Sequence, residues 1–340
     1  MTIMPRLKRR FVAGLAVCVV MVGAAVFALL QPKTAMQGTL VELARIPVGA
    51  EPLGIDIARD GSVIVAAAAG RTLHVLDPYT FSEVSSLDLS SYGRLSRVFV
   101  DQASGDVFVT ASIKGHVLKM DSNASSVLAT ANTGGFPQGM ALADGKLLIA
   151  LTGGQAVAVL DPADMAPLER LDAGDRPSSI HVDRNGEAFY VVKSTTRSVW
   201  VFDLASLKWT HTISDPSLVR LSDIAQAPHG RLLLLDATQD SLLVLDASGS
   251  TIEARIPLLP AECGECTHVP MALTVSPDGK RVVVVGRGGW VSLVDLKTQE
   301  LVGARQAGHD LRGVVWAGDG KIFTTSFASG EVVVLGSADG

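Results

Sequence analysis

Arginine residues recur at one place in this sequence, directly before short β-rich segments that begin with Pro or Leu. Arg94, Arg176 and Arg220 occupy this position. In their own segments, Arg97 lies three residues after it and Arg312 two residues after it. A guanidinium group donates hydrogen bonds in a planar fork that matches carboxylate and phosphate oxygens. If the fold gathers these side chains at one end, they form an anion-binding site.

The alternative for these arginines is local ion pairing, with Glu51, Asp175 and Asp310 as nearby acids. Residues 1–36 hold five of the 29 basic residues and none of the 34 acidic ones, so the rest of the chain has a formal charge of −10. That balance disfavours binding to nucleic acid or to an anionic lipid surface. A cluster of arginines would therefore be a positively charged region on a negatively charged domain.

The run Cys263-Gly264-Glu265-Cys266-Thr267-His268 is the second group with possible chemistry. Covalent haem needs a histidine directly after the second cysteine, and Thr267 occupies that place. We predict a disulfide between Cys263 and Cys266, formed in an oxidising compartment and stiffening a long loop. The alternative is a metal site made by Glu262, Cys263, Cys266 and His268, with His309 as a further ligand. We predict no cofactor.

No catalytic residue is predicted, because the sequence shows no Ser-His-Asp spacing, nucleophile elbow or paired carboxylates. The run Gly286-Arg287-Gly288-Gly289 is predicted as a turn between strands, since it lacks the strand-to-helix context of a phosphate loop.

A repeat must position these side chains. Its first landmark is an apolar strand that ends in Asp, found at Asp77, Asp121, Asp161, Asp203, Asp246 and Asp295 at steps of 40 to 49 residues. A seventh copy, residues 332–335, has Gly336 in place of Asp. The second landmark is a tight turn such as Asp60-Gly61 or Asp278-Gly279 between β-rich segments, a strong hairpin signal.

Each repeat therefore predicts four antiparallel strands; in the first repeat these are 54–58, 62–67, 72–77 and 84–89. Four strands at this period are typical of one propeller blade, so we predict an all-β, seven-bladed β-propeller. The last repeat stops after its third strand, and residues 40–46 form an unpartnered strand before the first repeat. We expect strand 40–46 to pair with 332–335 and close the ring, which removes an exposed sheet edge.

The segment Ile46-Pro47-Val48-Gly49-Ala50-Glu51-Pro52-Leu53-Gly54-Ile55-Asp56-Ile57, together with Ser276-Pro277-Asp278-Gly279, resembles the YVTN family of β-propeller repeats over about residues 40–336. The resemblance implies a seven-bladed, exported or surface protein that binds a partner or ligand rather than catalysing a reaction.

Residues 11–30 contain no charge and follow the basic residues Arg6, Lys8, Arg9 and Arg10. Such a helix is long enough to span a bilayer, and the basic cluster should stay in the cytoplasm. We predict an uncleaved single-pass anchor; the alternative is a cleaved signal peptide that releases the protein to the periplasm. The expected organisation is thus a basic tail, hydrophobic segment and linker over 1–36, and a propeller over 37–340.

These observations predict a noncatalytic binding or scaffold propeller on the outer side of the cytoplasmic membrane. Its expected partner is a protein or a small anionic ligand at a channel mouth, without nucleic acid, and with membrane contact through the N-terminal segment only. The alternatives are a metal-dependent lactonase or hydrolase and the propeller subunit of a periplasmic dehydrogenase. Fold alone does not choose among them.

Overall fold

The computed structural model describes residues 40–194 and 196–337, which lie in one compact unit, Gln37–Gly340. Its regular structure is almost entirely β-strand. The strands are β1 Leu40–Pro47, β2 Pro52–Ile57, β3 Val63–Ala67, β4 Thr72–Leu76, β5 Glu83–Asp88, β6 Leu95–Val100, β7 Val107–Ala111, β8 His116–Met120, β9 Val127–Asn132, β10 Pro137–Ala143, β11 Lys146–Leu151, β12 Ala156–Leu160, β13 Pro167–Asp172, β14 Pro177–Val182, β15 Ala188–Lys193, β16 Ser198–Asp203, β17 Trp209–Ser214, β18 Leu221–Gln226, β19 Leu232–Asp236, β20 Ser241–Leu245, β21 Ile252–Pro257, β22 Pro270–Val275, β23 Arg281–Gly286, β24 Trp290–Asp295, β25 Glu300–Gln306, β26 Leu311–Trp316, β27 Ile322–Ser326 and β28 Glu331–Ser337. Short 3-10 helices lie at Ser90–Tyr92, Pro228–Gly230 and Ala261–Cys263.

The strands form seven four-stranded antiparallel sheets, which are the blades of a propeller. Blades one to six are β2–β5, β6–β9, β10–β13, β14–β17, β18–β21 and β22–β25, and blade seven has the order β1-β28-β27-β26. The predicted seven-bladed, all-β architecture with four-stranded antiparallel blades is confirmed. In the first repeat the predicted strands match β2 to β5, except that the innermost strand begins earlier, at Pro52.

The core lies between neighbouring blades, because the middle strands are apolar on both faces. Val282 to Val285 on β23 and Leu232 to Leu235 on β19 are fully buried, so consecutive residues face two different neighbouring sheets. Strands buried on both faces need continuous apolar runs rather than alternation. The outermost strands differ: β5 and β13 are exposed along most of their length.

The aspartate that ends the third strand of each of the first six blades makes the turn into the fourth strand. Oδ1 of Asp77 accepts hydrogen bonds from the N–H groups of Tyr79 (2.7 Å) and Thr80 (3.0 Å). These bonds lower the pKa of Asp77, and the bond from Thr80 has the largest effect. A side chain that bonds the backbone two residues on mimics a backbone turn.

Gly336 replaces this aspartate in blade seven for a topological reason. The third strand there, β28, does not turn back but continues beside β1, with Gly336 opposite Val41 and Val332 opposite Ile46. The predicted closure of the ring by the N-terminal strand is thus present in the structure, and it extends to Pro47. Ile46 is 3% exposed and packs with Phe323 and Val334 in the core between blades seven and one.

The predicted hydrophobic segment 11–30 lies outside the described residues. Within residues 40–194 and 196–337, the structure contains no helix that is both long and apolar enough to cross a bilayer.

Candidate functional site

Two sets of loops meet at one mouth of the central channel. The residue before each innermost strand and the residue after each second strand are joined by a backbone hydrogen bond of 2.7 to 3.1 Å in every blade. The donor–acceptor pairs are Ala68–Glu51, Ser112–Arg94, Thr152–Phe136, Ser194–Arg176, Ala237–Arg220, Arg287–Val269 and Phe327–Asp310. This repeated bond fixes the loops, so side chains at the two positions form a double ring around the opening.

A register shift in each innermost strand directs further side chains to the channel. In all seven blades the pairing with the second strand slips directly after the first residue, as between Leu95 and Val98 or Leu311 and Val314. Such bulges re-aim side chains and free backbone groups from the ladder. In blade two the freed N–H of Arg97 donates to Oγ1 of Thr110 at 2.9 Å, and Thr110 is fully buried.

The loops and bulges enclose a cavity of about 760 Å³, within the usual range for small-molecule sites. Six arginines line it: Arg94, Arg97, Arg176, Arg220, Arg287 and Arg312. We call these six residues the arginine mouth. All five arginines singled out from the sequence therefore lie around one cavity, and their role in binding stays a prediction.

Three members of the arginine mouth form ion pairs with nearby carboxylates. Arg94 Nη1 lies 2.5 Å from Glu51, and Arg312 contacts both carboxylate oxygens of Asp310 at 2.6 and 2.8 Å. Arg287 is 3.5 Å from the same Asp310. The Phe327 ring lies between two of these cations, 4.9 Å from the guanidinium carbon of Arg312 and 5.9 Å from that of Arg94. Cation–π contacts of this kind hold the guanidinium planes in place.

Arg176 and Arg220 differ from the other members. Both are exposed, and their guanidinium groups make no hydrogen bond or ion pair with any residue in 40–194 or 196–337. Their backbones are fixed nonetheless, because the carbonyl groups accept the hydrogen bonds of the double ring. Two cations with free donors thus project from a rigid rim.

Arg97 and Asp223 lie deeper in the cavity, on blades two and five. Oδ1 of Asp223 accepts hydrogen bonds from Ser179 Oγ (2.6 Å) and the N–H of Ile224 (3.0 Å), and Oδ2 accepts one from the N–H of Leu273 (3.1 Å). Burial raises the pKa of Asp223, although these bonds and the charge of Arg97 oppose the rise. Burial also lowers the pKa of Arg97, and the attraction to Asp223 opposes that change.

The cysteine loop lies on the same side of the propeller, between β21 and β22. Cys263 and Cys266 are joined by a disulfide, with their Cα atoms 5.6 Å apart. The backbone N–H groups of His268 and Val269, which follow it, donate to the Asp240 carboxylate at 2.9 and 2.7 Å. The loop is therefore anchored at the rim, next to the turn that carries Arg287.

The structure does not bring together the four residues of the alternative metal site in this loop, Glu262, Cys263, Cys266 and His268. Both sulfurs are used in the disulfide, so neither is a thiolate ligand. The His268 ring is fully buried, and its Nε2 lies 3.1 Å from the buried Ser292 Oγ. In the part of the chain that the structure describes, no three His, Cys, Asp or Glu side chains are close enough to hold a metal ion, and His309 does not complete such a group.

Sequence reasoning missed Arg287, Phe327 and Asp223. Arg287 and Phe327 each follow a second strand. Aligning the residues that follow the second strands of all seven blades would have found both, because those residues hydrogen-bond to the residues before the innermost strands, which include Arg94, Arg176 and Arg220. Asp223 is equivalent to Arg97 in the innermost strands, but the other five blades have Gly, Ser or Ala at this position, so the position shows no charged pattern that repeats from blade to blade.

No protein-family model matches this sequence, and no curated protein matches it. Among solved structures, the chain is similar to one of Kuenenia stuttgartiensis hydrazine synthase, with a TM-score of 0.74 and 17% sequence identity. The alignment covers 88% of this chain and 97% of that chain. At this identity the likeness shows the fold alone, and it agrees with the β-propeller seen in the structure.

Proposed function

We propose that this protein is a noncatalytic binding propeller that takes a small anionic ligand, a carboxylate or phosphate, in the arginine mouth. The observation that carries the proposal is the pair Arg176 and Arg220, which are exposed on a fixed rim and have no ion-pair partner among the described residues. Guanidinium groups with free donors bind oxyanions in bidentate fashion.

The charge balance supports this proposal. Six guanidinium groups surround the cavity, and three carboxylates (Asp223, Glu51 and Asp310) line it or pair with its arginines, which leaves a formal charge of +3. Residues 37–340 have a formal charge of −10. A local positive site in a negative body attracts anions selectively, and a concave site with low-dielectric walls strengthens that attraction.

A protein partner fits the same chemistry if it presents an acidic segment or its C-terminal carboxylate. The alternative functions are lactonase, hydrolase and dehydrogenase subunit. None of the described residues has been assigned a role in the chemistry of these functions. The name of the structural neighbour denotes an enzyme, but 17% identity supports only a shared fold.

We further propose that residues 11–30 hold the propeller on the outer side of the cytoplasmic membrane and that its repeats are of the YVTN type. The uncharged segment after a basic cluster supports the first proposal. The Cys263–Cys266 disulfide is consistent with an oxidising compartment. The pattern of residues 46–57 and 276–279 supports the second.

Titration calorimetry and thermal unfolding with citrate and inorganic phosphate test the proposed function. A ligand that binds only the folded state raises its Tm. We expect citrate or phosphate to raise the Tm at low ionic strength, and added NaCl to weaken binding because salt screens exposed charges. Glucose, which carries no charge, is the control. If neither citrate nor phosphate binds, the proposal is overturned.

A further inference from the structure

Hydroxyl groups fill the wall of the cavity between the arginines. Seven lining residues carry one: Ser96, Ser112, Thr152, Ser178, Ser179, Ser194 and Ser222. They come from the first residues of the innermost strands and from the loops after the second strands, the same levels as the arginine mouth. A ligand held by the arginines is therefore next to these hydroxyl oxygens.

Most of these hydroxyl groups already donate a hydrogen bond within the protein. Thr152 Oγ1 donates to the carbonyl of Pro177 (2.7 Å), and Ser222 Oγ donates to that of Pro270 (2.8 Å), in each case on the next blade. Further donor–acceptor pairs are Ser96 to Gln138 Oε1, Ser178 to the Val192 carbonyl, Ser179 to Asp223 and Ser194 to the Arg176 carbonyl. A hydroxyl whose proton is committed keeps its lone pairs as acceptors. The wall therefore offers acceptors to a ligand.

Asp223 adds to this acceptor set. Its carboxylate accepts three hydrogen bonds from the protein, fewer than the roughly four acceptor sites of a carboxylate. A ligand ammonium group would be repelled by Arg97 and Arg312, which both line the cavity. A neutral O–H group meets no such repulsion, so a hydroxyl is the ligand donor that matches this wall.

We propose that the ligand of the arginine mouth is a hydroxylated organic anion of the sugar-acid class. Its carboxylates pair with Arg176, Arg220 and the neighbouring arginines, and its hydroxyl groups donate to the acceptor wall around Thr152, Ser222 and Asp223. This inference rests on the proposed function, because it needs the arginine mouth to bind an anion.

A matched ligand pair tests the inference. Glucarate and adipate are six-carbon dicarboxylates of equal charge at neutral pH, and they differ in the hydroxyl groups that only glucarate carries. We expect calorimetry on the full-length protein to give a Kd for glucarate at least about tenfold lower, since several hydrogen bonds are added. Equal affinities, or tighter binding of adipate, would overturn the hydroxyl inference while the anion site stands. Binding of neither dicarboxylate would overturn the proposed function too.

Variants of the wall provide the second readout. Thr152→Val and Ser222→Ala remove acceptors from the cavity, and Ser85→Ala, on the exposed outer strand β5, is the control. We expect the first two to weaken glucarate binding about three- to tenfold and to leave adipate binding and the control unchanged. An equal loss for both ligands indicates damage to the site as a whole and contradicts the inference, as does unchanged glucarate binding.

Discussion

Arg97 and Asp223 occupy the same third position of their innermost strands, β6 and β18, and attract each other within the central cavity. The same position in the other five blades holds Gly54, Gly139, Ser179, Ala272 and Gly313. A Cβ atom on Gly54 would lie 2.6 to 2.8 Å from backbone atoms of Arg97 and Val98, because neighbouring innermost strands approach closely there. The two charged residues thus interrupt an otherwise small-residue ring.

Asp223→Asn tests this electrostatic relationship. The neutral amide removes a negative charge from the wall of the arginine mouth, so an incoming anion meets less repulsion. We expect the affinity for adipate, which has no hydroxyl group to donate to Asp223, to increase about fivefold, in line with one unit charge several ångströms away. Calorimetry at low ionic strength measures the change. Lower affinity in a variant that retains the Tm of the natural protein would show that Asp223 assists anion binding.

Asp56 predicts a pH dependence of stability. Its oxygens accept hydrogen bonds from the N–H groups of Ile57 and Val100, both at 2.8 Å, but burial raises its pKa to about 6. An acid whose pKa is higher in the folded state binds its proton more tightly there. Its contribution to stability is therefore complete below about pH 4 and is lost as the pH rises through 6.

The variant Asp56→Asn lacks this titration. We expect the free energy of unfolding of the natural protein, relative to that of Asp56→Asn, to fall by at most about 3 kcal/mol between pH 4 and pH 7.5. Urea unfolding at a series of pH values measures the difference. A constant difference over this range would contradict a raised pKa for Asp56.

The repeat and the ring closure could be predicted from the sequence because their signals are local. The turn after each third strand needs a side chain such as Asp77 that bonds the next backbone amides, and Gly336 lacks one because β28 pairs with β1 instead. The register shifts of the innermost strands have no comparable signal. Their freed amides find partners on other strands, as Arg97 finds Thr110, and such tertiary contacts decide which side chains face the cavity.

Closure of the ring predicts unequal effects of two substitutions on β1. Ile46 is 3% exposed and Val41 is 43% exposed. Ile46→Ala should lower the free energy of unfolding by about 2 to 4 kcal/mol, because it leaves a cavity between blades seven and one. Val41→Ala is the control, with an expected change below about 1 kcal/mol. Similar effects of the two variants in urea unfolding would indicate that β1 does not close the core.

The cysteine loop predicts a simple result in thiol counting. The chain has three cysteines, and Cys263 and Cys266 form a disulfide. Alkylation of the denatured protein, followed by mass spectrometry, should modify two more thiols after reduction than before it. Equal labelling before and after reduction would contradict the disulfide.

The disulfide closes a short loop, so its removal in Cys263→Ser/Cys266→Ser should cost no more than about 2 kcal/mol. Because the loop is hydrogen-bonded to the turn that carries Arg287, citrate affinity of this double variant reports whether the disulfide also supports the site.

We expect the unpaired arginines of the mouth to bind an anion, and one calorimetric comparison of two double variants tests this most directly. Arg176→Ala/Arg220→Ala removes two exposed cations at the mouth. Lys208→Ala/Lys297→Ala removes two exposed cations from loops between third and fourth strands, which lie on the opposite face of the propeller. The two double variants have the same net charge, so any difference in affinity comes from where the charges lie.

We expect the arginine double variant to lose citrate affinity by at least about thirtyfold, since each charge-assisted hydrogen bond is worth more than a neutral one. The lysine double variant should bind citrate within about twofold of the natural protein at about 0.15 M salt, where a Debye length of about 8 Å screens charges on the opposite face of the propeller. Equal losses in both double variants, or citrate binding unchanged in the arginine variant, would contradict an anion site at the arginine mouth.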